Sequence, residues 1–392
     1  MKDLIIKEIQ GLGEQLSEIS DYICSNPEMG NNEFKAMEKL TSFLKVCGFS
    51  VETNIINKPT AFKAVYDSLK PGPSVSFLCE YDALPGIGHG CGHNMIGTMG
   101  CGAAVGLSKV LDKTGGRLIV LGTPAEETDG AKVAMAENGV FSDIDAAMIL
   151  HPEDTTYESG SSLAMDALQF DFKGKSSHAA ASPHEGINAL DAVILTFNGI
   201  NALRQHVTSD VRIHGIVKEG GKAANIVPDR AIAQFYVRAG KKKYLKKVAE
   251  KVKNIARGAA MMTGASLEIS NYEISYDDMN TNQNLSKAFV ENLKQVGVND
   301  IHPQRSSSGS IDMGNVSNVV PAIHPYISIS DTKLVGHTSE FRDATMTDKA
   351  HDALIKGSCA LALTGYDVLT DKELLKRIKE EFASIGSTPS TP

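Results

Sequence analysis

Between residues 168 and 283 the order of hydrophobic segments changes, and that change constrains the fold of this chain more than any other feature. Leu168–Phe172 alternates as a strand, Ile187–Gln205 has the spacing of a long helix, and Val211–Lys218 and Arg230–Ala239 alternate again around the Gly-rich loop Glu219–Asn225. A helix over 241–263 and a strand over 265–272 complete the order β-α-β-β-α-β, which closes into a two-layer ferredoxin-like α+β unit. On either side the pattern is α/β. Strands are predicted at 50–54, 62–66, 75–79, 117–122 and 146–150. Helices are predicted at 31–46, 97–111, 131–138, 285–296 and 347–363. The economical reading is a discontinuous α/β domain, 1–167 and 284–392, interrupted by an inserted domain, 168–283.

Composition narrows the class of molecule. With 392 residues, 42% hydrophobic and 22% charged, and a formal net charge of −8, the chain reads as a soluble globular protein without the basic excess of a nucleic-acid binder. The run Lys241-Lys242-Lys243 with Lys246 and Lys247 reads as a solvated helix end. Six cysteines at 24, 47, 79, 91, 101 and 359 lack paired spacing, which points to a reducing cytoplasm. No stretch reaches the roughly 18 apolar residues that span a bilayer, so no membrane partner is expected. Residues 1–24 read as one amphipathic helix, and 384–392, rich in Ser, Thr and Pro, as a loose tail.

The chemistry gathers at predicted strand ends. His89-Gly90-Cys91-Gly92-His93 places three strong metal ligands at alternate positions, shortly after the apolar strand 75–79 and Glu80-Tyr81-Asp82. Imidazole and thiolate together suit a borderline-soft divalent ion, zinc first. Glu126-Glu127 follows strand 117–122, His151 follows strand 146–150, and Gly336-His337-Thr338 precedes the closing helix. Open α/β sheets place ligands at strand C-termini. Taken singly, each histidine or the Glu pair is an ordinary surface or core feature. Together they supply enough ligands for one or two metals, with a carboxylate left over as a general base.

These residues carry a resemblance. Glu80-Tyr81-Asp82-Ala83-Leu84-Pro85-Gly86, Gly88–Asn94, Gly122–Glu127, Gly174–Ala180, Pro183–Gly186, Ala224–Asp229 and Gly336–Phe341 resemble the amidohydrolase branch of the aminoacylase/carboxypeptidase-G-type metallopeptidases. That branch includes p-aminobenzoyl-glutamate hydrolase, plant auxin-conjugate hydrolases, Xaa-Arg dipeptidase-like proteins and HmrA-type bacterial peptidases. The resemblance runs along nearly the whole chain. It implies a phosphorylase/hydrolase-like mixed-sheet catalytic domain with an inserted dimerisation domain, and hence a homodimer or a dimer of dimers. It also implies metal ligands at Cys91, His93, Glu127, His151 and His337, with Glu126 as general base and Asp82 orienting a ligand. His178 would polarise the scissile carbonyl from the same or the partner subunit, while Asn225 and Arg238 would hold the substrate.

The chain departs from the wider family at two positions. Glu80 stands where many relatives carry a histidine ligand, which leaves the His-x-Cys-x-His turn to replace it. Asn94 stands where much of the branch has Asp, as in the dipeptidase-like subgroup. His324, in Pro321-Ala322-Ile323-His324-Pro325, is a rival to His337 as ligand. The expected cofactor is one or two zinc ions, with manganese as the other candidate. The expected activity is hydrolysis of a peptide bond in a small substrate. The alternatives are hydrolysis of N-acyl or aryl-amide amino-acid conjugates, a non-catalytic metal-binding protein, and a cysteine hydrolase using Cys91 with a nearby histidine.

Overall fold

The apolar runs at 75–79 and 117–122 become neighbouring parallel strands inside a sheet, the place for strands without polar alternation. They are seen in a computed structural model that describes residues 1–303 and 309–385. The chain splits into two compact units. One contains 1–161 and the described parts of 279–303 and 312–385; the other contains 162–278 with the short segment ending at Ile311.

The chain opens with helices α1 (Lys2–Gly11), α2 (Gly13–Ser25) and α3 (Phe34–Val46), then strands β1 (Ser50–Thr53), β2 (Phe62–Asp67) and β3 (Ser74–Cys79). Helix α4 (His93–Thr114), β4 (Arg117–Gly122), α5 (Ala131–Glu137), β5 (Ala146–Met148) and β6 (His151–Glu153) follow. The second unit holds β7 (Ala164–Lys173), α6 (Ala189–Leu203), β8 (Arg212–Glu219), β9 (Arg230–Ala239), α7 (Lys242–Thr263) and β10 (Ser266–Asn271). The first unit resumes with α8 (Gln283–Gln295), α9 (Met313–Ser317), β11 (Ala322–Ile323), β12 (Tyr326–Ser328), α10 (Ser339–Ala344), α11 (Asp348–Thr370) and α12 (Lys372–Ile385).

In the first unit the sheet order is β1-β2-β4-β3-β5-β11, parallel from β4 to β11 and antiparallel at the β1–β2–β4 edge. Helix α4 packs on β3 and against α11. Its small residues permit a close approach: a Cβ on Gly97 would stand 2.8 Å from the Glu80 carbonyl oxygen, and one on Gly100 would stand 2.6 Å from Cys79 Sγ. The parallel strands therefore end side by side, and their C-terminal extensions carry Asp82, Glu126-Glu127 and His151. In the second unit β7–β10 form an antiparallel sheet of order β10-β7-β9-β8, with α6 and α7 packed against it over a core that includes Phe170, Phe172, Phe235 and Val252. This is the β-α-β-β-α-β arrangement expected from the pattern.

Several elements differ from the sequence reading. The N-terminal helix is two, broken at Leu12, because Gly11 and Gly13 flank the break while the apolar spacing runs through it. Helix α4 begins at His93 rather than at residue 97. The apolar run 146–150 ends as a strand at Met148, and residues 151–153 pair instead with β12 in a separate two-stranded parallel ribbon. Ser384 and Ile385, read as part of a tail, close α12; residues 386–392 lie outside the described residues. No helix among the described residues is long and apolar enough to cross a membrane.

Candidate metal centre

The turn 89–93 owes its shape to glycine. Gly92 has φ 75°, and a Cβ there would stand 2.4 Å from Pro152 Cγ, so only glycine lets Cys91 and His93 approach the strand that carries His151. The carbonyl of Gly90 accepts the backbone N–H of His337 at 2.9 Å, which ties the late Gly336-His337-Thr338 segment to the same turn. His337 has φ 64°, and Ala125, just before the Glu pair, has φ 61°. Left-handed backbone at non-glycine residues costs free energy and clusters at functional sites. The Ala125 N–H donates to Oε1 of buried Glu33 at 2.9 Å, which helps to hold that turn.

Three groups of donor atoms converge, with each group's members within 4.8 Å of one another: Cys91, His93 and His151; Cys91, Glu127 and His337; His93, Glu126 and Glu127. Cys91, His93 and Glu127 each belong to two groups, as donors around two adjoining cation positions would. All five residues expected as ligands are thus brought together, with Glu126 beside them. His324 is buried with its ring 5.6 Å from that of His151, but it joins none of the groups. His89 is also buried and outside them.

Hydrogen bonds fix which nitrogen of each histidine is available. His93 Nδ1 lies 2.9 Å from Asp82 Oδ1, and His151 Nδ1 lies 2.6 Å from the Pro152 carbonyl. An acceptor oxygen at Nδ1 requires the proton there, which leaves the Nε2 lone pair of the neutral ring available to a metal. His337 Nε2 stands 3.4 Å from Glu127 Oε1, an atom that is buried and accepts no hydrogen bond among the described residues. A buried carboxylate oxygen without a donor, facing imidazole nitrogens, is satisfied by a cation.

The electrostatics agree. Burial pushes the Cys91 thiol up to about 12, so its use as a thiolate ligand requires a metal to displace the proton. Burial lowers His151 to about 3 and keeps its ring neutral. Loss of water around its carboxyl, with Glu80, Asp312 and Glu127 nearby, raises Glu126 well above the ordinary carboxylate range. Glu80, Asp82 and Asp312 are buried nearby, and among the described residues Lys132 is the buried lysine, facing Glu80 and Asp312. Its Nζ lies 2.6 Å from Glu80 and 2.7 Å from Asp312. So many carboxylates against one ammonium leave an excess of negative charge that divalent ions offset. The donor set of thiolate, imidazole and carboxylate fits zinc.

Lys132 and Asp312 are the site residues that sequence reasoning missed. A lysine in the first turn of a short helix looks solvated, and its partners lie 52 and 180 residues away along the chain. The hint available was Asp312 itself, the one charged residue in the otherwise uncharged sequence 309–320.

His178, Asn225 and Arg238 belong to the second unit. His178 is exposed, and its Nδ1 accepts the backbone N–H groups of Ala180 and Ala181 at 3.2 and 3.1 Å, which puts the proton on Nε2. The Ala179 N–H donates to the Asn225 carbonyl at 3.0 Å, so the two loops run together. Arg238 donates to Ser310 Oγ at 3.0 Å and lies over the Tyr236 ring.

Comparison with known proteins places this geometry. A sequence model of the peptidase family M20/M25/M40 matches residues 62–353. The chain is 36% identical to the Xaa-Arg dipeptidase of Mus musculus over 97% of this chain and 92% of that protein. It is 29% identical to a p-aminobenzoyl-glutamate hydrolase component of Escherichia coli K12 over 96% and 93%. Its fold is similar to that of a dinuclear metal-binding M20 peptidase from Bacillus subtilis, with a TM-score of 0.68 at 19% identity over 91% of this chain and 99% of that one. The resemblance read from the motifs is borne out, and the chain belongs to the peptidase family M20/M25/M40.

Proposed function

We propose that this protein is a metal-dependent hydrolase of peptide bonds in small substrates, acting as a dipeptidase with Glu126 as its general base. The observation that carries the reading is the convergence of Glu126 and Glu127 with Cys91, His93, His151 and His337. When bound, the metal polarises the scissile carbonyl and lowers the pKa of the attacking water. Cys91, His93, Glu127, His151 and His337 hold it, and Asp82 orients His93. Glu126, raised by its surroundings, takes the proton of the attacking water and returns it to the leaving amine. His178, with its proton on Nε2, donates to the developing oxyanion, and Asn225 and Arg238 bind the substrate's carbonyl and carboxylate.

Zinc is the metal best matched to a thiolate-containing donor set, with manganese second. Six unpaired cysteines suit a reducing cytoplasm. The inserted unit, with edge strand β8, serves as the dimerisation domain in this reading. The similarity to the p-aminobenzoyl-glutamate hydrolase component favours a second reading, hydrolysis of N-acyl or aryl-amide amino-acid conjugates.

A panel of Xaa-Arg and Xaa-Lys dipeptides against N-acyl and p-aminobenzoyl amino acids, with zinc- and manganese-loaded protein, tests the choice. The proposal predicts kcat/KM at least about tenfold higher for dipeptides. The reverse order supports the second reading. Hydrolysis of none would leave a non-catalytic metal-binding protein.

A further inference from the structure

Glu80 occupies an unusual position for a carboxylate that merely pairs with a lysine. It follows β3 directly, is buried, and its two oxygens face different partners. Oε1 accepts from Lys132 Nζ at 2.6 Å, and Lys132 is itself held by Asp312 at 2.7 Å, so the carboxylate cannot rotate freely. Oε2 is left pointing at Nε2 of His93, 3.5 Å away. The Asp82 carboxylate keeps a proton on His93 Nδ1, so Nε2 of the neutral ring presents a lone pair. Two lone pairs cannot face each other in a buried site unless a cation lies between them.

A metal meets that need. With metal–ligand bonds of about 2.1 Å, two ligands of a tetrahedral ion stand about 3.4 Å apart. The Glu80–His93 separation matches that edge, as does the 3.4 Å between His337 Nε2 and Glu127 Oε1 across the centre.

We propose that Glu80, through Oε2, is a further metal ligand beside His93, aimed there by the bond between its Oε1 and Lys132. Glu80 then supplies a donor to the centre instead of being replaced by the His-x-Cys-x-His turn. The proposal rests on the reading that Cys91 and His93 hold metal.

The test is a crystal structure of the zinc-loaded wild-type protein, supported by titration of the metal-free protein with Co²⁺. An ion with Glu80 Oε2 at about 2.0–2.2 Å is the expected result. Ions at Cys91 and His93 with Glu80 Oε2 beyond about 3 Å overturn the ligand assignment and leave the hydrolase reading intact. No ion at Cys91 and His93 overturns both. In the titration, Glu80→Gln should weaken Co²⁺ binding at least about tenfold and alter the visible absorption bands of the Co²⁺ protein. An unchanged affinity and spectrum in a variant with wild-type melting behaviour would also overturn the assignment.

Discussion

Asp82 joins both halves of the candidate metal centre: its Oδ1 lies 2.9 Å from His93 Nδ1, and its Oδ2 accepts the backbone N–H of Glu127 at 3.0 Å. One carboxylate just after β3 thus contacts both the His93 ring at the start of α4 and the turn after β4. Its own burial would raise it, but His93 and the Glu127 N–H hold it below the ordinary range, so it stays charged while doing so.

Replacing Asp82 by Asn removes the charge and offers His93 Nδ1 the wrong partner. Metal affinity should fall by about 10–100-fold, the usual effect of losing a carboxylate behind a ligand histidine. Competition with a chromophoric chelator measures this, and an affinity equal to wild type would show that the contact does not orient the ring.

Metal should stabilise the fold strongly, because it offsets charge among Glu80, Asp82, Glu126, Glu127 and Asp312. At free metal about a thousandfold above Kd the gain is about 4 kcal/mol. Chelator-treated protein should therefore melt several degrees below zinc-reloaded protein in calorimetry. Identical melting curves would contradict a ligand set built into the folded state.

The metal-free protein should lose stability in mild acid. Burial, opposed by the charge of Glu80 and reinforced by Lys132 and His93, holds His324 at about 4, against an ordinary value of 6.5. The unfolded chain takes up a proton that the folded chain resists. The contribution is present above pH 6.5 and is lost as pH falls towards about 4. It is on the order of 1–3 kcal/mol. Burial raises the Asp312 carboxyl to about 6, which acts in the opposite direction. Urea melts of wild type and His324→Gln at pH 7.5 and pH 5 isolate the imidazole: wild type should lose more stability between the two. Equal losses would show that His324 does not resist protonation.

His178 is expected to act on the substrate and not on the metal. His178→Ala should reduce kcat by about 100-fold or more, the scale of losing one donor to an oxyanion. Metal content by elemental analysis should stay at the wild-type value. Loss of metal in that variant would move His178 into the metal centre.

Much of this arrangement is legible in the chain before folding. Strand β4 has the bounds its apolar run predicts, because a strand buried from Leu118 onward and flanked by glycines has sharp ends. The β-α-β-β-α-β order of the second unit is written in alternation that only a half-buried sheet produces. The motifs at Cys91, His93, Glu126, Glu127, His151 and His337 fall at strand ends or on glycine turns, so their convergence is a consequence of the parallel sheet. What was hidden has physical reasons too. The β6–β12 ribbon has three residues per strand, too few for any period to register. Lys132 is buried only because Glu80 and Asp312 fold back on it from distant parts of the chain. The start of α4 at His93 depends on Gly92 adopting φ 75°, a choice fixed by the approach of Pro152 and not by a capping side chain.

The central claim is that Glu126 moves the proton while its neighbours hold metal. The most direct measurement is dipeptide turnover by Glu126→Gln and wild type, each loaded to the same metal content verified by elemental analysis. The account predicts full metal occupancy in the variant with kcat lower by about 10²–10⁴-fold and KM little changed. Near-wild-type turnover by metal-loaded Glu126→Gln would contradict it.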